Sequence, residues 1–189
     1  MKKLIPSIVL VLFALLFISC THKERQINFV YPDGNMKALI MSYDDGLVED
    51  SKLIKLFDAN NIIGTFNLNS GLLSTQQHWP QDNGPDIIST YVSKDSLLLI
   101  YKSHEIAAHG LTHQDFKNIS DDEMLKEVNT DISNLNELTN RKIVSMAYPF
   151  GNSNHHIAEL ISNSGLTNAR TVSDTYTFDL PDTFLLWHP

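Results

Sequence analysis

Short apolar runs alternate with helix-patterned stretches along most of this chain, and that alternation narrows the fold to an α/β class with a mainly parallel sheet. The runs cover residues 38–41, 64–68, 105–108, 143–147 and 169–172. Between the first two, Leu53, Ile54, Leu56 and Phe57 recur at helical spacing. Between the third and fourth, Ser120 and Glu123 make a capping box ahead of Leu125, Val128, Ile132, Leu135 and Leu138. Residues 93–102 and 156–161 also read as helices, the latter stopped by Gly165. The stretch 70–90 is rich in Gly, Gln, Pro, Asn and Asp, and reads as a loop insertion without a period. Such a sheet is either open or closed as a barrel, and in both forms chemistry collects at the carboxyl ends of the strands. Asp44-Asp45, His109 and Tyr148-Pro149-Phe150-Gly151 each fall at or just beyond such an end, so three separate motifs converge on one rim.

The chain has 189 residues, 42% of them hydrophobic and 19% charged, enough to fill one core with an export signal attached. Its formal charge of -8 repels phosphate backbones, and no basic stripe with interleaved aromatics is present, which argues against nucleic acid as a partner. The first residues are of another kind. Lys2 and Lys3 precede an apolar run from 4 to 18, closed by Ser19 and the lone Cys20. A basic start, an apolar core and a small residue at the cut form a secretory signal. Phe17-Ile18-Ser19-Cys20 resembles the bacterial lipobox, with Phe17 where leucine is commoner. The expected organisation is a lipoprotein signal peptide over 1–19, a tether over 20–37 and a domain over 38–189. The product would be exported and membrane-anchored through a lipid on Cys20, on the periplasmic or outer surface of a bacterial cell. One cysteine cannot make an intrachain disulfide.

His109-Gly110-Leu111-Thr112-His113 places two imidazoles four residues apart, close enough to reach one divalent ion. Alone the spacing is weak, because it arises readily by chance. Asp44-Asp45-Gly46 is weak alone as well, since Asp-Gly is ordinary turn chemistry. Two adjacent carboxylates after a buried strand are costly to hold unless a cation is near. One carboxylate and two imidazoles with an open position suit catalytic zinc or non-haem iron, and the second carboxylate is then placed to act as a base.

Together these residues resemble the polysaccharide deacetylase family, the NodB-homology domains of carbohydrate esterase family 4. Ser42-Tyr43-Asp44-Asp45-Gly46 is similar to the first family motif, Gly64-Thr65-Phe66-Asn67 to the strand after it, the stretch from His104 to His113 to the second, and Ala147-Tyr148-Pro149-Phe150-Gly151 to the third. Order and spacing agree over about residues 38–172. The resemblance implies an incomplete, distorted (β/α) barrel. It implies a divalent metal on Asp45, His109 and His113, zinc foremost, with cobalt, nickel or iron as alternatives. It also implies Asp44 as general base toward water, and the backbone N–H of Phe150 as an oxyanion donor. The reaction implied is removal of N- or O-linked acetyl groups from a cell-envelope or extracellular polysaccharide.

Two departures stand out. The third motif usually opens with an arginine that orients the catalytic aspartate, and here that position is Ala147; Arg170, at the end of the fifth run, is the candidate replacement. The family's late histidine, the acid toward the leaving group, has no clear counterpart. Phe184-Leu185-Leu186-Trp187-His188-Pro189 resembles the run leading into that motif, so the expectation is a domain lacking its C-terminal part, with His188 as the alternative acid. These departures leave two other readings open: an inactive relative that binds glycan, and an amidase acting on non-sugar C–N bonds.

Overall fold

The computed structural model describes Gly34, residues 38–177 and residues 179–189. The signal segment, Cys20 and, Gly34 apart, the tether lie outside the described residues. In chain order the elements are β1 (Ser42–Asp45), α1 (Asp50–Ala59), β2 (Thr65–Leu68), β3 (Gln76–Trp79), β4 (Ile87–Thr90), α2 (Leu97–Ile100), β5 (Glu105–Ala108), α3 (Asp121–Thr139), β6 (Ser145–Ala147), α4 (His155–Ile161) and β7 (Asn168–Arg170). Five strands form one parallel sheet in the order β1-β2-β5-β6-β7.

The period-2 alternation of the strands separates two faces. Tyr43, Phe66, Ile106, Met146 and Ala169 share the face that meets the helices. There Tyr43 packs on Phe57 of α1 and on Phe66, and Phe66 packs on Tyr101 after α2. Val128, Ile132 and Leu135 of α3 and Ile157 and Ile161 of α4 complete this layer. The opposite face carries Ser42, Asp44, Asn67, Ala147 and Arg170. Its polarity matters, because β1 and β7 are the two ends of the strand order and yet Arg170 forms an ion pair with Asp44 and donates from Nε to Ser42 Oγ at 3.1 Å. Across a flat five-stranded sheet the outer strands would lie roughly 19 Å apart, beyond the reach of any side chain. The sheet therefore curls, polar face inward, into an incomplete, distorted (β/α) barrel.

Several local expectations shift. β1 begins at Ser42 instead of covering 38–41, and Leu39 is 84% exposed. Its partner sets this limit: β2 starts at Thr65, whose N–H reaches Met41 O at 2.8 Å, and pairs only from Ser42 onward. On α1 the buried positions are Asp50, Ile54 and Phe57, whereas Leu56 is 63% exposed because it lies about 200° round the helix from Ile54. The segment 93–102 is a 3-10 turn over Lys94–Ser96 followed by the single turn of α2. The stretch 70–90 is not a featureless loop, since β3 and β4 pair antiparallel in it with Trp79 opposite Ile87. α3 starts on the full reciprocal capping box of Ser120 and Glu123. After β7, a 3-10 turn over Phe184–Leu186 brings Trp187 beside the strand: Trp187 N–H bonds Ala169 O at 2.9 Å and Thr171 N–H bonds Trp187 O at 2.8 Å. No helix among the described residues is long and apolar enough to cross a membrane.

Candidate metal centre

The carboxyl ends of β1 and β5 bring Asp45, His109 and His113 together. Asp45 Oδ1 lies 3.7 Å from His109 Nε2 and 3.5 Å from His113 Nε2. One donor atom from each of the three lies within 4.8 Å of the others. His109 is buried, and its Nδ1 stands 2.8 Å from Ala147 O. A carbonyl only accepts, so this contact puts the ring proton on Nδ1 and leaves the Nε2 lone pair facing Asp45. Burial holds His109 below the usual histidine range, with Asp44 and the Ala147 bond opposing. A neutral imidazole is the form that binds a metal. Two Nε2 atoms and a carboxylate oxygen, with the buried imidazole fixed from behind, fit a divalent cation.

The backbone around this cluster is unusual. Asp45, His113 and Phe150 have φ of 80, 60 and 57°, in the left-handed region that non-glycine residues seldom occupy. Such conformations cost about 1 to 3 kcal/mol each and persist only where the surroundings impose them. At Asp45 the turn continues into Gly46, at φ 73°, where a side chain would be strained and its Cβ would come within 2.8 Å of Leu68 Cδ2, which favours glycine. Phe150 sits in the turn Pro149–Gly151 at the end of β6, and its ring packs edge-on against His113 with centroids 4.5 Å apart. The turn's own hydrogen bonds run from Gly151 N–H to Tyr148 O and from Asn152 N–H to Pro149 O, and do not use the Phe150 N–H.

Asp44 stands beside the cluster on the inner face. Its Oδ1 accepts from Asn67 Nδ2 at 2.9 Å and from Arg170 Nη2. Arg170 is the direct register partner of Ala147 across β6 and β7. The guanidinium therefore occupies the same layer of the barrel as an arginine at 147 would, one strand over. His188 lies beside Thr171, its Nδ1 3.5 Å from Thr171 Oγ1. Two other histidines serve the fold: His104 accepts from Gly64 N–H and turns Nε2 toward Asp58, and His156 pairs with Asp121 across α4 and α3.

Sequence reasoning passed over Asp131. It is 0% exposed on α3 and accepts from Ser70 N–H at 2.7 Å and from His109 N–H at 2.9 Å. Burial pushes its carboxyl up to about 7, against the lowering effect of these bonds. A signal was present: Asp131 lies three residues after Val128 and four before Leu135, inside the apolar stripe of its helix.

The sequence matches the family model for polysaccharide deacetylase over residues 32–169. No curated protein is similar enough in sequence to count as a match. Among solved structures, the deacetylase PplD from Streptococcus pyogenes, in complex with acetate, superposes with a TM-score of 0.61 at 15% identity, over 73% of this chain and 57% of that one. A de-N-acetylase from Aggregatibacter actinomycetemcomitans gives 0.59 at 20% identity, over 71% and 63%. A polysaccharide deacetylase from Bacillus cereus gives 0.63 at 15% identity, over 79% and 45%. At these identities the superpositions establish the fold, and the matched region spans about half the length of those proteins. The barrel with its motifs at the strand ends and the match over residues 32–169 lead to one assignment: the chain belongs to the polysaccharide deacetylase family.

Proposed function

We propose that this protein is a metal-dependent hydrolase that removes acetyl groups from a polysaccharide. The observation that carries the reading is the meeting of Asp45, His109 and His113 around a single point, with Asp44 beside them and oriented by Arg170 and Asn67. A divalent ion held there, zinc foremost, would polarise the acetyl carbonyl and make water acidic enough to attack near neutral pH. Asp44 is the base placed to accept a proton from the attacking water. Arg170 and Asn67 both bond the same oxygen, Oδ1, which holds the carboxylate in one orientation and leaves Oδ2 for the proton. The Phe150 N–H, left out of its turn's hydrogen bonds, is the donor for the developing oxyanion. Export and anchoring through Cys20 belong to the same proposal, supported by the apolar run 4–18 and the lipobox-like residues 17–20. They suggest a cell-envelope or extracellular glycan as substrate.

Acetate release from acetylated oligosaccharides, N- and O-linked, tests the reading. The wild type should release acetate, whereas Asp44→Asn and His109→Ala should lose at least about 10²-fold in rate. Protein that binds metal but frees no acetate from any glycan would place the chain with inactive glycan-binding relatives. Turnover of small non-sugar amides alone would favour an amidase.

A further inference from the structure

The segment that joins the two histidines, 109–113, is held from two sides, by helix α3 and by the end of β2 with the loop that follows it, where Gly71 N–H bonds Leu111 O at 2.9 Å. Asp131 Oδ2 accepts the His109 N–H at 2.9 Å, a donor it shares with Leu68 O of β2 at 3.0 Å. One turn earlier on the same face of α3, Glu127 accepts from Thr112 twice, from N–H and from Oγ1, both at 2.8 Å, and its own carbonyl accepts the Leu111 N–H at 3.2 Å. The carbonyls of His109 and Gly110 receive Asn69 Nδ2 at 2.6 and 2.7 Å. The next residue, Ser70, is itself held by Asp131 Oδ1 through its N–H and by Asn134 Nδ2 through its hydroxyl. α3 therefore fixes this segment directly and fixes the loop that braces it.

Helix stability alone would disfavour this arrangement. Like charges at i and i+4 repel along a helix, and a fully buried carboxylate carries a desolvation penalty that an aliphatic side chain in the stripe would avoid. What the carboxylate supplies is two acceptor oxygens for two N–H donors from different loops. We propose that Asp131, with Glu127 one turn before it, is a positioning residue for the metal centre: it sets the backbone of His109 so that Nε2 faces Asp45 and His113. This rests on the metal-centre reading above. Neither residue touches the donor atoms themselves.

Asp131→Asn is the sharp test, because the amide is isosteric but has one acceptor oxygen for two N–H groups and turns an N–H₂ toward the other. Zinc affinity is measured on the metal-free full chain by competition with a chromophoric chelator, at a temperature where circular dichroism shows wild type and variant equally folded. The expected result is a 10- to 100-fold weaker Kd for Asp131→Asn. Glu127→Gln, half-buried and less central to the core, should weaken binding in the same direction and covers the case in which Asp131→Asn does not fold. A folded variant with wild-type zinc affinity, even one that melts earlier, overturns the positioning role and leaves the metal centre standing. Wild-type protein that takes up no zinc overturns the metal centre and this inference with it.

Discussion

Arg170 is the residue whose role depends most on three-dimensional register. Its counterpart position in the third motif holds alanine, and along the sequence the two are 23 positions apart, yet they are direct neighbours across β6 and β7. If the guanidinium orients Asp44, Arg170→Ala should lower kcat for acetate release on the order of 10²-fold while zinc content stays at the wild-type level. Adding Ala147→Arg in the same chain should restore part of that loss, because the new side chain starts from the same layer of the barrel. A kcat within about twofold of wild type in Arg170→Ala would remove Arg170 from the mechanism. At this scale the three residues of the candidate metal centre were legible as short motifs, since each sits within a few residues of a partner of the same chemistry. Asp131 was not, because its partners, Ser70 and His109, are 61 and 22 residues away and are backbone groups that no side-chain pattern announces.

Among the elements, α1 and α2 are joined by a buried polar contact: Tyr101, after α2, donates its hydroxyl to Asp50 Oδ2, at the start of α1, at 2.6 Å. Burial raises the Asp50 carboxyl from 3.8 to about 6, with the charges of Asp45, Glu49 and Asp44 adding to it and the Tyr101 bond opposing. Because the folded value lies above the unfolded one, the stabilisation from this group is full below pH 3.8 and is lost as pH rises through about 6. Asp50→Asn removes that loss and keeps an acceptor for Tyr101. The stability difference, variant minus wild type, should therefore grow between pH 4 and 6.5 by on the order of 2 kcal/mol and then level off. Urea unfolding of the metal-free chains in chelator checks it; parallel pH profiles would show that Asp50 does not titrate as described. Element types were largely readable from period, as the Ser120–Glu123 box and the stripe of α3 show. Boundaries were less so, because β1 starts where β2 offers a partner and not where hydrophobicity starts. The β3–β4 hairpin was missed because Gln76, Gln77, Ser89 and Thr90 mask its alternation, and Pro80 and Pro85 make its connection read as loop.

For the molecule as a whole, the curl of the sheet makes the site. The opposite ends of the strand order meet through Arg170, Asp44 and Ser42, and the strained turns at Asp45, His113 and Phe150 gather on the rim that the curl creates. That the candidate residues would meet at the strand ends followed from the alternation of strands and helices. That the sheet closes far enough for β7 to serve β1 needed the coordinates, because no local pattern encodes curvature. The claim on which the rest stands is that this rim holds one metal ion. Isothermal titration of zinc into the metal-free chain tests it most directly. The account predicts saturable binding at about one ion per chain, abolished in His109→Ala and in Asp45→Ala while both variants stay folded. Binding that is absent in the wild type, or unchanged when either ligand is removed, would contradict it.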